Sequence, residues 1–96
     1  MIELRLTPEF VKWFSGLRDE RAQARIQVRL DRLQSGLLGE VKPVGEGVSE
    51  MKIDYGPGYR VYFCQRGSVL TIVLAGGNKK TQQRDIQVAL EMARNL

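Results

Sequence analysis

A chain of 96 residues, 43% hydrophobic and 27% charged, is one ordinary globular domain rather than a disordered segment, with no room for a second core. It has no histidine and one cysteine, Cys64. That excludes an internal disulfide, Ser-His-Asp and Cys-His nucleophiles, the usual zinc sites and nucleases built on two histidines. The net charge of +4, with arginine outnumbering lysine ten to five, favours nucleic acid or an acidic protein as partner.

From the N-terminus, Met-Ile-Glu-Leu-Arg-Leu alternates like a strand and lacks the apolar core of a signal peptide. Thr7-Pro8 reads as a cap followed by proline at the first helical position. Phe10, Trp13, Phe14 and Leu17 then give a short helix an aromatic face. Asp19 can cap a second helix running to about Ser35-Gly36, with Ala22, Ile26, Leu30 and Leu33 on one side. Arg18, Arg21, Arg25, Arg29 and Arg32 form a second stripe on it. The bland reading is a solvated face; the functional one is a rail for RNA phosphates or an acidic segment.

Leu37 to Gly47 holds three glycines and Pro43 and reads as a connector with at most a short irregular edge. Strands follow near 48–54, 59–65 and 69–75. The last, apolar on both faces, is expected to be central and doubly covered, and at seven residues it is too short to span a bilayer. Thr81 can cap a final helix carrying Ile86, Ala89, Leu90 and Ala93. The expected fold is α+β, in the order β-α-α-β-β-β-α over residues 1–96, with the helices on one side of a mostly antiparallel sheet.

Chemistry without histidine falls to cations near strand ends. Lys52 and Arg60 flank Tyr55-Gly-Pro-Gly58, and Lys79, next to Lys80, follows Gly76-Gly77. A five-residue loop sets Lys52 opposite Arg60, whereas a four-residue loop sends them to opposite faces. The glycine pair is expected to let backbone approach a ligand beside the free amides of the last helix. Such a cluster can stabilise charge that develops as a phosphodiester is cleaved, with the ribose 2′-hydroxyl as nucleophile. Glu50 and Asp54 flank Lys52, which suits it as a charge clamp better than as a base. Tyr59 and Tyr62 are core residues on the bland reading and base-stacking platforms on the functional one. Arg60→Ala is expected to remove activity with little change in thermal midpoint.

These segments resemble the toxins of the RelE/ParE superfamily, closest to HigB-like or phage-derived addiction module killer proteins. The resemblance runs from Phe10 and Trp13 through Arg25-Ile26, Arg29-Leu30-Arg32-Leu33 and Val44-Gly45-Glu46-Gly47-Val48. It continues through Tyr55-Gly-Pro-Gly-Tyr-Arg-Val-Tyr-Phe63 to Gly76-Gly-Asn-Lys79, Thr81-Gln82 and Asp85-Ile86. It implies a microbial-ribonuclease-like fold and a cytoplasmic toxin that cuts mRNA on the ribosome, with no metal or cofactor. The implied products are a 2′,3′-cyclic phosphate and a 5′-hydroxyl. Lys52, Arg60 and Lys79 take the catalytic positions, and Arg21, Arg25, Arg29, Arg32, Lys80 and Tyr59 are the candidate RNA and ribosome contacts. Implied partners are a cognate antitoxin, often of helix-turn-helix type, with DNA reached only through that complex, and no membrane. Two family positions differ: Glu50 stands where a second strand lysine is expected, and Asp85 where some members have tyrosine. The rival readings are a ParE-like gyrase poison and a non-catalytic basic binding module.

Overall fold

A computed structural model describes residues 2–96; Met1, which the alternation put at the head of the first strand, lies outside the described residues. The elements are β1 (Glu3–Leu6), α1 (Pro8–Ser15), α2 (Glu20–Gln34), β2 (Val41–Gly45), β3 (Val48–Ile53), β4 (Tyr59–Arg66), β5 (Leu70–Gly77) and α3 (Gln82–Arg94). The five strands form one sheet in the order β1-β5-β4-β3-β2. β1 runs parallel to β5 and the other pairs are antiparallel. No helix among the described residues is long and apolar enough to cross a membrane.

Local chemistry explains where the first two helices start. Thr7 is extended, and its hydroxyl accepts the N–H of Phe10 at 3.1 Å while donating to the Leu74 carbonyl at 2.6 Å. One residue thereby caps α1 and ties it to β5. Asp19 Oδ1 accepts the N–H groups of Arg21 and Ala22, the cap expected for α2. The apolar stripes then settle on the sheet. Phe10, Ile26, Leu30 and Leu33 bury themselves against Met51, Ile53, Val61, Phe63 and Val73. Burying each such side chain stabilises the fold by about 1.5–3 kcal/mol relative to exposure.

The sheet is covered on both sides, which corrects the expectation of helices on one side only. α3 packs on the opposite face, where Ala89, Leu90 and Ala93 meet Val48, Tyr62, Cys64, Leu74 and Ala75. The sequence carried this in β4, where Val61 and Phe63 feed one core while Tyr62 and Cys64 feed the other. A strand buried on both faces needs two covering layers. Burial also pushes the Cys64 thiol pKa up, as befits a small core residue. β5 is doubly covered as expected, yet the middle strand of the five is β4. The connector contributes a real edge strand, β2, with Pro43 and a register shift between Pro43 and Gly45.

One irregularity decides what reaches the site. Tyr62 pairs with Ala75 but Phe63 pairs with Val73, so Leu74 is an extra residue in β5. A bulge of this kind reverses which face the following residues address. Beyond it, Gly76 turns toward α1 and Gly77 toward α3. A Cβ on Gly76 would lie 2.7 Å from Trp13 Cδ2, and one on Gly77 would lie 2.7 Å from Asp85 Cγ and 3.0 Å from Thr81 Oγ1. The glycine pair therefore admits the Trp13 indole on one side and the Asp85 carboxylate on the other. That corrects the expectation that it leaves backbone open to a ligand.

Candidate functional site at the turn between β3 and β4

Five residues, 54–58, connect Ile53 to its partner Tyr59, and Lys52 consequently lies directly opposite Arg60. Both side chains belong to the α3 face, since Met51, Ile53 and Val61 between them enter the α1/α2 core. Across from Arg60 on its other side is Gly77. Lys79 joins the same place through its backbone, its N–H donating to the Pro57 carbonyl at 3.3 Å. Its Cβ lies 3.6 Å from where a Gly58 Cβ would stand. The three cations thus gather around one turn, with Lys52 and Lys79 exposed and Arg60 beneath them.

Arg60 is 7% exposed and shares its burial with two carboxylates, Glu50 at 5% and Asp85 at 9%. Its Nη1 donates to the Gly58 carbonyl at 2.6 Å, which curls the turn over the guanidinium. Gly58 has φ +76, and a Cβ there would come within 2.9 Å of that Nη1. Arg60 Nε lies 4.0 Å from Glu50 Oε1 and has no hydrogen-bond partner. Glu50 Oε2 accepts from Gln82 Nε2 at 2.8 Å, and Thr81 Oγ1 donates to Asp85 Oδ2. The fully buried Tyr62 hydroxyl sits in this cluster, and its pKa is raised by burial first and then by the negative charge of Glu50. Tyr62 is therefore a core residue and has no face free to stack on a base.

The start of α3 differs from its expected form. Thr81 occupies the cap position but makes no side-chain cap bond. Asn78 Oδ1 instead accepts the N–H groups of Lys80 (2.9 Å) and Thr81 (3.2 Å), closing the turn that leads into the helix. The Thr81 hydroxyl donates to Asp85, which packs under Gly77. Lys79 and Lys80 line a shallow depression with Thr81, Gln82, Gln83 and Arg84.

The remaining predicted residues lie on the other side of the sheet, on or against the α1/α2 layer. Tyr59 packs edge-on against Trp13 with ring centroids 6.1 Å apart, so its ring serves the α1 interface. Arg29 is committed to structure: Nη1 donates to the Lys52 carbonyl at 2.7 Å and Nη2 to the Glu40 carbonyl at 3.2 Å. Burial, then the charge of Arg32, lowers its pKa from the ordinary arginine value, though it stays a cation at neutral pH. Arg25 lies 4.6 Å above the Tyr55 ring, a cation–π contact. Tyr55 in turn donates its hydroxyl to Asp19 Oδ2 at 2.8 Å, the first cause of that carboxyl's lowered pKa. Arg21 and Arg32 are exposed. The stripe and the cationic cluster thus lie on opposite sides of the sheet. They meet where Arg29 holds the Lys52 carbonyl and at the turn, which Arg25 touches from one side and Lys79 from the other.

Residues 12–95 match the family profile described as "Phage derived protein Gp49-like (DUF891)". The chain belongs to the Gp49-like family. An uncharacterized protein of Haemophilus influenzae (strain ATCC 51907 / DSM 11121 / KW20 / Rd) is 44% identical over 95 residues, covering 99% of this chain and 96% of the relative. In this Gp49-like chain, the residues that spacing did not reveal as one unit are Glu50, Thr81, Gln82 and Asp85. The only signal in the sequence was negative. Two carboxylates stood where cations or tyrosine were expected, and a carboxylate in a strand otherwise headed for burial calls for a buried partner. Among the described residues no three His, Cys, Asp or Glu side chains gather as a metal site would need.

Proposed function

We propose that this protein is the toxin of a type II toxin–antitoxin module, an endoribonuclease that cuts mRNA on the ribosome and is neutralised by a cognate antitoxin in the cytoplasm. Membership of the Gp49-like family is compatible with that reading, and the resemblance to RelE/ParE toxins carries it further. The observation that supports it most is the convergence of Lys52, Arg60 and Lys79 on the turn between β3 and β4. In this reading Arg60 is the clamp on the scissile phosphate, held by Gly58 and Glu50 so that little orientation is lost when RNA binds. Lys52 and Lys79 add mobile charge on either side of it. Excess negative charge in the transition state is then met by one fixed guanidinium and two exposed ammonium groups beside it. The 2′-hydroxyl of the substrate supplies the nucleophile: it gives its proton to water as its oxygen bonds to phosphorus. The bond from phosphorus to the 5′-oxygen breaks, that oxygen takes a proton from water and leaves as a 5′-hydroxyl, and a 2′,3′-cyclic phosphate remains. Arg21, Arg25 and Arg32, with Lys80, would track ribosomal RNA backbone, while Arg29 acts mainly as a strut.

A gyrase-directed toxin of the same fold is the second reading. The burial of Arg60 favours it, because a guanidinium under a turn also serves as a structural strut. The two are separated by incubating the purified chain with translating ribosomes and, in parallel, with gyrase and supercoiled plasmid. Truncated mRNA with an untouched plasmid is the expected result. Linearised plasmid with intact mRNA would transfer the protein to the gyrase-directed class.

A further inference from the structure

The two edges of the sheet are built differently. β2 closes its edge with Pro43 and an irregular register, devices that discourage pairing with another chain. β1 has neither. The N–H groups of Glu3 and Thr7 donate into β5, to Val69 (2.6 Å) and Val73 (3.1 Å). In a parallel ladder the peptide groups alternate between the two sides of a strand. Those of Leu4 and Leu6, and of Ile2 before them, therefore face the open edge, where no described strand pairs with them.

The side chains of this segment are ordered in a way that suits a copy of itself. Ile2-Glu3-Leu4-Arg5-Leu6 reads apolar, acidic, apolar, basic, apolar. Leu4 and Leu6 register with Thr71 and Val73, on the α1/α2 side, and Leu4 packs against that core. Leu6 remains 44% exposed. Glu3 and Arg5 lie on the α3 side, both exposed and bonded to each other at 2.5 Å. Consider two β1 strands meeting antiparallel about a two-fold axis through Leu4. Leu4 then faces Leu4 of the second copy, and Ile2 faces Leu6, all with outward peptide groups, as hydrogen-bonded pairs require. Glu3 falls opposite Arg5 of the second copy, and Arg5 opposite Glu3. Moving the axis to Glu3 opposes two glutamates, and moving it to Arg5 opposes two arginines. Directly opposed like charges destabilise a sheet and opposite charges stabilise it. Only the Leu4-centred register meets both requirements.

We propose that β1 is a self-association edge, through which two copies of this chain pair antiparallel at Leu4 to make a continuous ten-stranded sheet. The contact extends the α1/α2 apolar layer across the two-fold axis through Ile2, Leu4 and Leu6. It places a quartet of Glu3 and Arg5 charges on the other face. An interface of a few residues a side falls in the weak, transient size class. The dimer is therefore concentration-dependent, and it does not rest on the nuclease reading.

Sedimentation equilibrium of the full chain from about 1 μM to 1 mM, spanning the range of weak interfaces, tests this. The dimer fraction is expected to rise across that range, and the Leu4 and Leu6 amides are expected to gain exchange protection with it. E3R and R5E, each at an exposed position, are each expected to weaken association about tenfold. The double swap E3R/R5E restores the charge pattern with reversed sign and is expected to return association to near the starting value. A monomer at every concentration would overturn the proposal and leave the edge to a strand of another protein. A dimer indifferent to the single swaps, or not restored by the double swap, would overturn it equally.

Discussion

Arg60→Ala is expected to abolish growth inhibition and also to lower folding stability by about 3 kcal/mol. The loss of activity follows from removing the guanidinium fixed beneath the turn. The loss of stability follows from what remains. Glu50 is 5% exposed, and without Arg60 its charge would stay buried beside a neutral cavity. Breaking a buried pair by deleting one partner typically costs about 3–5 kcal/mol. A separation of 4.0 Å puts this pair at the lower end. The burial of this pair replaces the expectation of a nearly unchanged thermal midpoint with an expected fall. Removing the second charge separates the two effects: R60Q/E50Q should recover much of the stability lost by R60Q while staying inactive. If R60A unfolds at the same midpoint as the parent, Arg60 and Glu50 are not an energetic pair. If R60Q/E50Q is active, Arg60 is not the clamp.

Gly77→Ala is expected to be nearly as damaging, although the glycine has no left-handed backbone to protect. The cost is steric. The added Cβ would meet Asp85 Cγ at 2.7 Å and Thr81 Oγ1 at 3.0 Å, with Asp85 Oδ2 closer still. Relief requires the Asp85 carboxylate to leave its place under the glycine, breaking its bond with the Thr81 hydroxyl, or the first turn of α3 to lift from the sheet. Overpacking of this kind costs about 1–3 kcal/mol, or a fall in Tm of about 5–20 °C for a domain of this size. Asp85→Ala empties the space the methyl group needs. G77A/D85A should therefore be more stable than the sum of the two single changes predicts, by about 0.5–3 kcal/mol. Strict additivity in a denaturation series would show that the carboxylate is not what Gly77 accommodates.

The element order was legible because periodicity and caps agree along most of the chain. Thr7-Pro8 and Asp19 start helices as their side chains dictate, and Ala22, Ile26, Leu30 and Leu33 form one buried stripe. What the sequence hid was set by tertiary choices. The face of α3 depends on which side of a doubly apolar β4 is still uncovered, and β4 offers two similar surfaces. The bulge at Leu74 leaves no trace in composition, yet it alone directs Gly77 toward Asp85. Thr81 makes no side-chain cap bond; its hydroxyl points to Asp85, and Asn78 instead closes the turn that leads into α3. The three cations were legible one by one; their convergence was not. It needed the five-residue loop to fix Lys52 opposite Arg60, and the Lys79–Pro57 backbone bond to bring in the third. Glu50 read as a departure from a family pattern, whereas in three dimensions it is the counter-ion that seats Arg60.

The chemistry of the RNA ends tests the central claim most directly. The purified chain would be incubated with ribosomes translating a defined mRNA, and the downstream fragments would be treated with polynucleotide kinase without prior phosphatase. Cleavage by the 2′-hydroxyl predicts fragments that accept label at a free 5′-hydroxyl, upstream partners ending in a 2′,3′-cyclic phosphate, and no cleavage by R60Q. Uncut mRNA, or fragments bearing a 5′-phosphate and a 3′-hydroxyl, would contradict it.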